Sequence, residues 1–336
     1  MTHRENFEKM FNHEVMDYIP HLGTDAVNFR DFPFSRQINK TGLDGWGCRW
    51  ISCKDSLNIT HPDTTDIKFS EISQWREKVV FPDLDKMDCS QMYDTLKDYT
   101  DEVRKEKMLV YVSTIGIFER SHSLMGFENA LCEMMEDPDE FSEMLGAFTD
   151  FQIRLYQKIY DMFQPDVLMY HDDMGSQQSP FFPTWIFVDY IFPHYKRLVK
   201  EIKKIGYKYV VHHSCGKVDT LIPEWLECGF DGWDSVMPCN DLREIKHLYG
   251  DRIVFWSGGD AQNILGIDGI GEEKIENMVL EYYDMLASDG KGLCMDTTTA
   301  YSLNPANEEI CLQMQKKHQK AFIDAVKANK HYEPKD

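Results

Sequence analysis

The sequence lacks the long apolar runs and the excess of basic residues that mark several classes of protein. No stretch approaches the roughly 18 apolar residues of a transmembrane helix, and residues 1–6 contain no apolar signal segment. With 36 basic against 57 acidic residues, the net charge is −21, which argues against nucleic acid, anionic membranes and polyanionic substrates as partners. The sequence therefore predicts a cytoplasmic protein that binds neither membranes nor nucleic acid.

The sequence also lacks a disulfide framework, a dinucleotide-binding motif and any short repeat. Its nine cysteines are an odd number without regular spacing, which favours reduced thiols and metal ligands. No Gly-x-Gly-x-x-Gly follows a predicted strand, so a doubly wound open sheet is only the alternative fold. The absence of a repeat or a low-complexity tract excludes a solenoid.

What the sequence does contain is a regular alternation of short apolar runs and helical patterns. This alternation over 336 residues predicts an α/β fold, a single (β/α)8 TIM-type barrel covering 1–336, with the eighth strand not apparent. The predicted strands lie at 17–22, 108–114, 166–171, 208–213, 230–236, 252–256 and 290–295. Residues 115–122, directly after the second of these strands, are predicted as a loop rich in groups that could line a site. The predicted helices lie at 83–106, 126–135, 138–163, 193–205, 220–227, 241–248, 272–287 and 307–327.

Residues 28–72 show no sustained helical period, and glycines interrupt two apolar clusters there. The pattern predicts hairpin strands or a lid beside a pocket, with Trp46 as a candidate substrate contact. Packing of the aromatic side chains at an exposed edge is the more frequent alternative. The aromatic residues of this region include Phe29, Phe32 and Phe34.

The strand at 208–213 runs directly into two side chains that bind metals, His213 and Cys215. Because strand side chains alternate between faces, these two residues share one face, while His212 points towards the helix layer. A third ligand is required, and Cys294 at the end of the last predicted strand could supply it, since strand ends of a barrel meet at one mouth. The alternative is that both cysteines are small buried hydrophobic residues and His213 is a hydrogen-bonded core residue.

Other polar side chains follow predicted strand ends and are candidates for catalysis or substrate binding. Asp172 and Asp173 are candidates for a proton donor to a leaving oxygen or for an outer partner of a metal-bound imidazole, against a role as helix cap and solvated acid. The candidate substrate contacts also share this placement at strand ends, and they are His21, Asp25, His171 and Asp260. A turn that needs glycine explains Asp260 after Gly258 and Gly259 equally well.

The order of these motifs resembles the uroporphyrinogen decarboxylase superfamily, from about residue 4 to residue 325. Within it, the chain is similar to the corrinoid-dependent methyltransferases. The motifs are HSCG at 213–216, DDMGSQ at 172–177 followed by SP at 179–180, GGD at 258–260, and the late Cys294. The resemblance implies a barrel with its site at the mouth, a zinc ion held by His213, Cys215 and Cys294, and a corrinoid carried by a partner protein.

The chain departs from the decarboxylase itself in the stretch from Pro20 to Asp25, which has no arginine and adds an acid. Binding of a polycarboxylate there would lack its counter-charges, so decarboxylation is an unfavoured interpretation. A barrel that serves as a binding subunit without turnover is a further alternative, and a homodimer is one assembly that the sequence permits.

Two directions of methyl transfer remain open under this resemblance. In one, zinc acts as a Lewis acid on a methyl donor such as an aromatic methyl ether, and Co(I) of the corrinoid protein takes the methyl group. In the other, a methylcobamide donates its methyl group to a zinc-activated thiol of the coenzyme M type. The aromatic residues of region 28–72, together with Phe181, Phe182 and Trp185, favour the aromatic donor.

Overall fold

The structure of the chain is a computed structural model, and it describes residues 1–30, 40–52, 60–296 and 304–334. Of the predicted hairpin region 28–72, residues 31–39 and 53–59 lie outside the described residues, and so do Phe32 and Phe34.

The chain divides into two compact units, each built from separate segments. The first unit consists of Met1–Asn28, Tyr99–Leu109 and Asp231–Asp336. The second unit consists of Phe29–Asp98 and Val110–Phe230. The assignment of residues 1–336 to a single domain stays a prediction.

The strands within the described residues are short, as expected for an α/β protein. They are β1 (Ala26–Arg30), β2 (Gly42–Leu43), β3 (Arg49–Ser52), β4 (Thr60–Pro62), β5 (Met108–Ser113), β6 (Val167–His171), β7 (Tyr209–His213), β8 (Gly232–Asp234), β9 (Val254–Ser257) and β10 (Leu293–Met295).

The helices of the described residues lie mainly between these strands. They are α1 (His3–Phe11), α2 (Leu22–Asp25), α3 (Trp75–Lys78), α4 (Ser90–Leu96), α5 (Asp101–Glu106), α6 (Ile117–Met125), α7 (Phe127–Glu136), α8 (Pro138–Phe163), α9 (Thr184–Ile186), α10 (Phe192–Ile205), α11 (Ile222–Cys228), α12 (Leu242–Tyr249), α13 (Glu272–Ala287) and α14 (Pro305–Lys327). None of these helices is both long enough and apolar enough to cross a membrane.

The main sheet follows the chain order of its strands, β1-β5-β6-β7-β8-β9-β10. The pairs β5–β6, β6–β7, β8–β9 and β9–β10 are parallel. Parallel strands in sequential order with helical crossovers are the topology of the TIM-type (β/α)8 barrel, so the predicted fold class is confirmed. The strands β2, β3 and β4 form a separate antiparallel sheet, where the sequence predicts hairpin strands.

The core of the second unit forms around β5 and β6, which are buried along their whole lengths. Residues covered on both faces produce the continuous apolar runs seen in the sequence. The long helix α8 begins where predicted because Asp137 caps it, accepting a hydrogen bond from the backbone N–H of Glu140 at 3.3 Å, and Pro138 occupies its first turn.

The core of the first unit forms around β8, β9 and β10, which are also buried along their lengths. Trp256 of β9 is fully buried and packs against Phe11 of α1 with ring centroids 6.1 Å apart. The closing helix α14 starts at Pro305 because the Asn304 side chain accepts hydrogen bonds from the backbone of Ala306 and Asn307.

The first predicted strand differs from the structure. Within 17–22 only His21 forms a bridge, to Met295 of β10, and the strand that follows is β1 at Ala26–Arg30, which the sequence prediction missed. The reason is local, because the backbone N–H of His21 donates to Asp25 Oδ2 at 2.9 Å instead of to a strand partner. Residues 22–25 then form the short helix α2.

Two predicted segments between strands also differ. The predicted helix 83–106 is broken into a turn, α4 and α5, because Thr100 caps a new helix by accepting from the backbone N–H of Val103. The predicted loop after β5 is instead the helix α6, whose cap comes from a distant part of the chain.

Candidate metal and substrate site

Two imidazole rings meet at the ends of neighbouring strands in the second unit. His171 ends β6 and His213 ends β7, and the strand register pairs the two residues directly. Their rings are stacked, with centroids 4.0 Å apart and planes 13° apart. His212 points to the opposite face and stacks on Trp225 of α11 at 4.4 Å, which confirms the predicted alternation.

Cys215 follows the strand end and lies beside the second ring, as the sequence predicts. Its Sγ is 3.6 Å from His213 Nε2. A nitrogen and a sulfur that bind one tetrahedral zinc ion at about 2.05 and 2.3 Å are roughly 3.5 Å apart. The two atoms therefore already have the separation that a shared metal ion requires.

Asp173 holds the loop that carries this cysteine. Its Oδ1 accepts the backbone N–H of Cys215 at 2.7 Å and lies 3.7 Å from His213 Nε2. His171, Asp173 and His213 each bring one ligand atom within 4.8 Å of the others. These residues could therefore contribute to a metal site or contact a bound substrate.

Gly216 makes the close packing of this loop feasible. Its φ is +88°, and a Cβ at this position would lie 2.3 Å from the carbonyl oxygen of Gly175. A side chain at this position would push the segment that carries Cys215 away from the segment that follows β6.

Asp172, a predicted catalytic acid, is completely buried and caps a helix. Its carboxylate accepts the backbone N–H groups of Phe118 and Glu119 at 3.0 and 2.7 Å, at the start of α6, and the hydroxyl of Tyr195 at 2.6 Å. A Cβ at Gly116 would lie 2.2 Å from its Cγ, so only glycine allows the approach. Burial raises the pKa of Asp172, and the nearby Glu119 carboxylate adds to the rise.

Glu119 is a site residue that the sequence prediction missed. Its Oε2 is 2.6 Å from Nδ1 of His171, and both side chains are less than a tenth exposed. One indication of Glu119 was present in the sequence, since it lies in a segment after β5 that is rich in polar groups. That segment was predicted as a loop, so the direction of the side chain was undefined. The helix α6 turns Glu119 towards the end of β6.

An aromatic cluster surrounds the loop after β6. Phe118 packs against Phe182 at 5.2 Å, and Phe127 packs against Phe181 at 5.0 Å. His122 contacts Phe118 and Phe127 at 5.3 and 5.4 Å. Burial lowers the pKa of His122 to about 4, and nearby Asp173 only partly opposes this, so the ring is neutral at pH 7.

Trp46, a predicted substrate contact, is packed inside the second unit. Its ring meets Phe148 and Phe151 at 5.6 and 4.8 Å, and the Arg120 guanidinium lies 4.7 Å above it. Arg120 donates to Asp44 Oδ2 at 2.7 Å in a buried ion pair. Trp46 therefore anchors the β2–β3 hairpin onto α6 and α8.

Cys294, the predicted third metal ligand, lies in the first unit and is fully buried in β10. Burial raises the pKa of its thiol well above the usual value, and the carboxylates of Asp296, Asp25 and Asp234 add to the rise. The backbone N–H of Leu22 opposes this shift. The membership of Cys294 in a shared metal site stays a prediction.

The other predicted substrate contacts of the first unit have structural partners. Asp25 binds the backbone N–H of His21 at 2.9 Å and lies 3.1 Å from Nδ1 of His3. Burial lowers the pKa of His21 to about 4. Asp260 caps the helical turn at Ala261–Leu265 by accepting the backbone N–H of Asn263 at 2.9 Å.

Comparison with known families gives one match that covers most of the chain. The model of the family described as Uroporphyrinogen decarboxylase (URO-D) matches residues 65–328, a stretch that includes His171, His213 and Cys294. A search of curated proteins finds no match.

Comparison with solved structures gives two informative similarities. A methyltransferase from Methanosarcina mazei superposes with a TM-score of 0.70 at 13% identity, covering 94% of this chain and 98% of that one. A B12-independent methionine synthase from Shewanella sp. W3-18-1, in complex with selenomethionine, gives a TM-score of 0.50 at 11% identity, covering 87% and 76%. At these identities the similarities concern the fold.

Proposed function

The chain belongs to the uroporphyrinogen decarboxylase (URO-D) family, and on this basis we propose that it is a zinc-dependent methyltransferase. The methyl donor is a small O-methyl compound of the aromatic ether type, and the acceptor is the corrinoid of a partner protein. The runner-up is transfer from a methylcobamide to a thiol of the coenzyme M type.

The observation that carries this proposal is the 3.6 Å separation of His213 Nε2 and Cys215 Sγ, which fits two ligands of one zinc ion. Cys294 is the proposed third ligand, as the family resemblance implies. A zinc ion held by these residues would supply Lewis-acid polarisation of the leaving heteroatom.

The protein side chains around this position divide the remaining work. Asp173 is half-buried and next to the ring of His213, so it is the proposed acid that returns a proton to the leaving oxygen. Asp172 caps α6 through the backbone N–H groups of Phe118 and Glu119, so its proposed role is to hold α6 in place and not to donate a proton. This division refines the sequence-based proposal, which nominated either acid.

The aromatic cluster after β6 favours the ether as substrate over a charged acceptor. The partly exposed ring of Phe181 lies next to the buried rings of Phe118 and Phe182, and the neutral His122 adds no positive charge. A sulfonate would need a cationic partner, whereas Arg120 is already buried against Asp44. A flat apolar ring is therefore the better match to these side chains.

The decarboxylase activity named by the family is disfavoured by the segment from Pro20 to Asp25. It contains no arginine, and its acid Asp25 is buried against His21 and His3. A substrate with several carboxylates would meet a carboxylate there instead of a counter-charge. The family match itself begins after this segment, at residue 65.

The test begins with metal analysis and then follows methyl transfer. Purified protein should contain about one zinc per chain, and it should methylate a Co(I) corrinoid protein from an aryl methyl ether. Methylation of coenzyme M from methylcobalamin, without any reaction of the ether, would establish the runner-up. Protein that binds no metal under reducing, chelator-free conditions would instead support a non-catalytic barrel subunit.

A further inference from the structure

We propose that Glu119 and His171 form a positioning pair that fixes the ring plane of His213, and so the direction in which His213 Nε2 faces Cys215. The inference rests on the proposed function, because it concerns the metal site of that function. It adds two residues to the site that neither the motif at 213–216 nor the family resemblance includes.

The first step is the stack of the two imidazoles. A parallel register brings His171 and His213 side by side on one face of the sheet, and the rings lie 4.0 Å apart with planes 13° apart. A flat ring against one side of His213 limits rotation about its Cβ–Cγ bond. The lone pair of Nε2 is thereby held towards Cys215.

The second step is the anchoring of the His171 ring. Glu119 Oε2 lies 2.6 Å from its Nδ1, and both side chains are almost fully buried. With Glu119 ionised, its carboxylate accepts and Nδ1 of His171 carries the hydrogen in this bond. The bond therefore sets both the tautomer and the orientation of His171.

The third step is the anchoring of Glu119 itself. It lies in the first turn of α6, and its backbone N–H donates to the buried carboxylate of Asp172 at 2.7 Å. Tyr195 holds the same carboxylate from α10 at 2.6 Å. A continuous series of contacts thus runs from Asp172 through α6 to Glu119, His171 and His213.

The stacking geometry also separates His171 from the ligands. A metal ion lies close to the plane of each imidazole that binds it, along the lone pair. Two ring planes that are nearly parallel and about 4 Å apart do not meet at one ion bound by both rings. With His213 as the ligand beside Cys215, His171 acts on the site through the ring stack and not as a ligand.

The experiment measures zinc affinity of the full-length protein by competition with a chelator. Glu119→Ala removes the anchor and should weaken zinc binding by about 10- to 100-fold. Glu119→Gln keeps an oxygen acceptor for Nδ1 and should recover most of the affinity. His171→Phe keeps a flat ring against His213 and should lose less affinity than His171→Ala.

The chain contains a matched control pair in the first unit. Glu276 Oε1 lies 2.6 Å from Nε2 of the buried His318, between two helices. Glu276→Ala removes the same type of bond and should leave zinc affinity unchanged, even where it lowers the melting temperature. An equal loss of affinity in Glu276→Ala and Glu119→Ala would show a general stability effect and overturn the proposal.

Cobalt substitution gives a readout that stability alone does not change. The visible spectrum of Co(II) bound to Glu119→Ala should differ from that of the wild type, because the angle between the His213 and Cys215 ligands changes. If folded Glu119→Ala and His171→Ala both keep the Co(II) spectrum and the zinc affinity of the wild type, the positioning role is overturned. The methyltransferase proposal then still stands. If the wild-type protein binds no zinc, the proposed methyltransferase function itself is refuted.

Discussion

The strand ends at Cys215 and Cys294 present the same side chain in opposite surroundings. Cys215 lies 3.6 Å from a histidine nitrogen, and its backbone N–H is bound by Asp173. Cys294 is fully buried, and three carboxylates raise the pKa of its thiol in addition to the effect of burial. The end of β7 is thus organised by hydrogen bonds, whereas burial and the neighbouring carboxylates favour the protonated form of the thiol in β10.

The two strand ends are thus prepared in different ways. The second unit contributes geometry, since the contacts from Asp172 to His213 hold the side chains in place. In the first unit, negative charge surrounds the end of β10, since the carboxylates of Asp25, Asp234 and Asp296 raise the pKa of the Cys294 thiol. Each of the following predictions removes or isolates one of these contributions.

The largest effect should follow from removing either thiol. Cys215→Ser and Cys294→Ser should each weaken zinc binding by more than the roughly 100-fold typical of losing an outer partner, because a ligand itself is lost. Cys228→Ser and Cys311→Ser, which change buried helix cysteines in the second and first unit, are the matched controls. Normal zinc binding by Cys294→Ser would contradict the proposal that Cys294 is a metal ligand.

The next effect concerns the geometry of the second unit. Asp172→Ala leaves the N–H groups of Phe118 and Glu119 and the hydroxyl of Tyr195 without their acceptor, and should cost about 3 kcal/mol of unfolding free energy in urea titrations. Asp173→Ala, which removes a single backbone partner of Cys215, should cost about 1 kcal/mol. If Asp172→Ala and Asp173→Ala lose the same unfolding free energy, the capping of α6 by Asp172 stabilises the fold no more than one hydrogen bond does.

The rates of thiol alkylation should show the difference between the surroundings of Cys215 and Cys294. In metal-free protein, peptide mapping by mass spectrometry should show the exposed Cys132 modified before the half-buried Cys215, and Cys215 before Cys294. Cys294 should react at least about 100-fold more slowly than Cys132, because it is buried and its thiol keeps its proton. Equal rates for Cys215 and Cys294 would contradict the contrast between the two strand ends.

Protonation of His194 limits the pH range in which the two strand ends can be compared, because it changes the stability of the whole fold. Burial lowers the pKa of His194 from 6.5 to about 4, so the folded protein keeps this ring neutral while the unfolded chain protonates it. Its contribution to stability is therefore present above pH 6.5 and is lost as the pH falls towards 4, by about 1.4 kcal/mol per pH unit.

His194→Gln should flatten this part of the pH dependence in denaturant unfolding, since Gln keeps a polar contact with Ser142 but does not titrate. Buried His21 and His122, whose pKa values are also lowered to about 4, should maintain the remaining slope. If the unfolding free energies of the variant and the wild type change with pH equally between pH 6 and 4.5, His194 does not contribute to the pH dependence of stability.

Local sequence patterns identified the strand ends but could not reveal the supports behind them. The alternation of side chains placed His213 and Cys215 together, and the structure brings their ligand atoms to 3.6 Å. The helix α6 was missed because its cap, Asp172, lies more than 50 positions further along the chain. Glu119 could then not be placed beside His171, since a residue in a predicted loop has no defined direction.

The missed strand β1 has a similar explanation. The sequence predicts a strand at 17–22, but only His21 of that segment forms a bridge, to Met295 of β10. Whether His21 continued as a strand depended on whether its N–H met a neighbouring strand or Asp25. A sequence pattern does not decide between two partners of the same N–H group.

The buried ion pair between Asp44 and Arg120 has a consequence for the order of events during synthesis. Asp44 also binds the indole N–H of Trp50 at 3.0 Å, and its side chain is completely covered. Its cationic partner is 76 positions later in the chain, so the ribosome delivers the hairpin long before the charge that neutralises it. Burying Asp44 alone would cost several kcal/mol, and the nascent hairpin should therefore wait in water, with Trp46 and Trp50 open to chaperones, until α6 emerges.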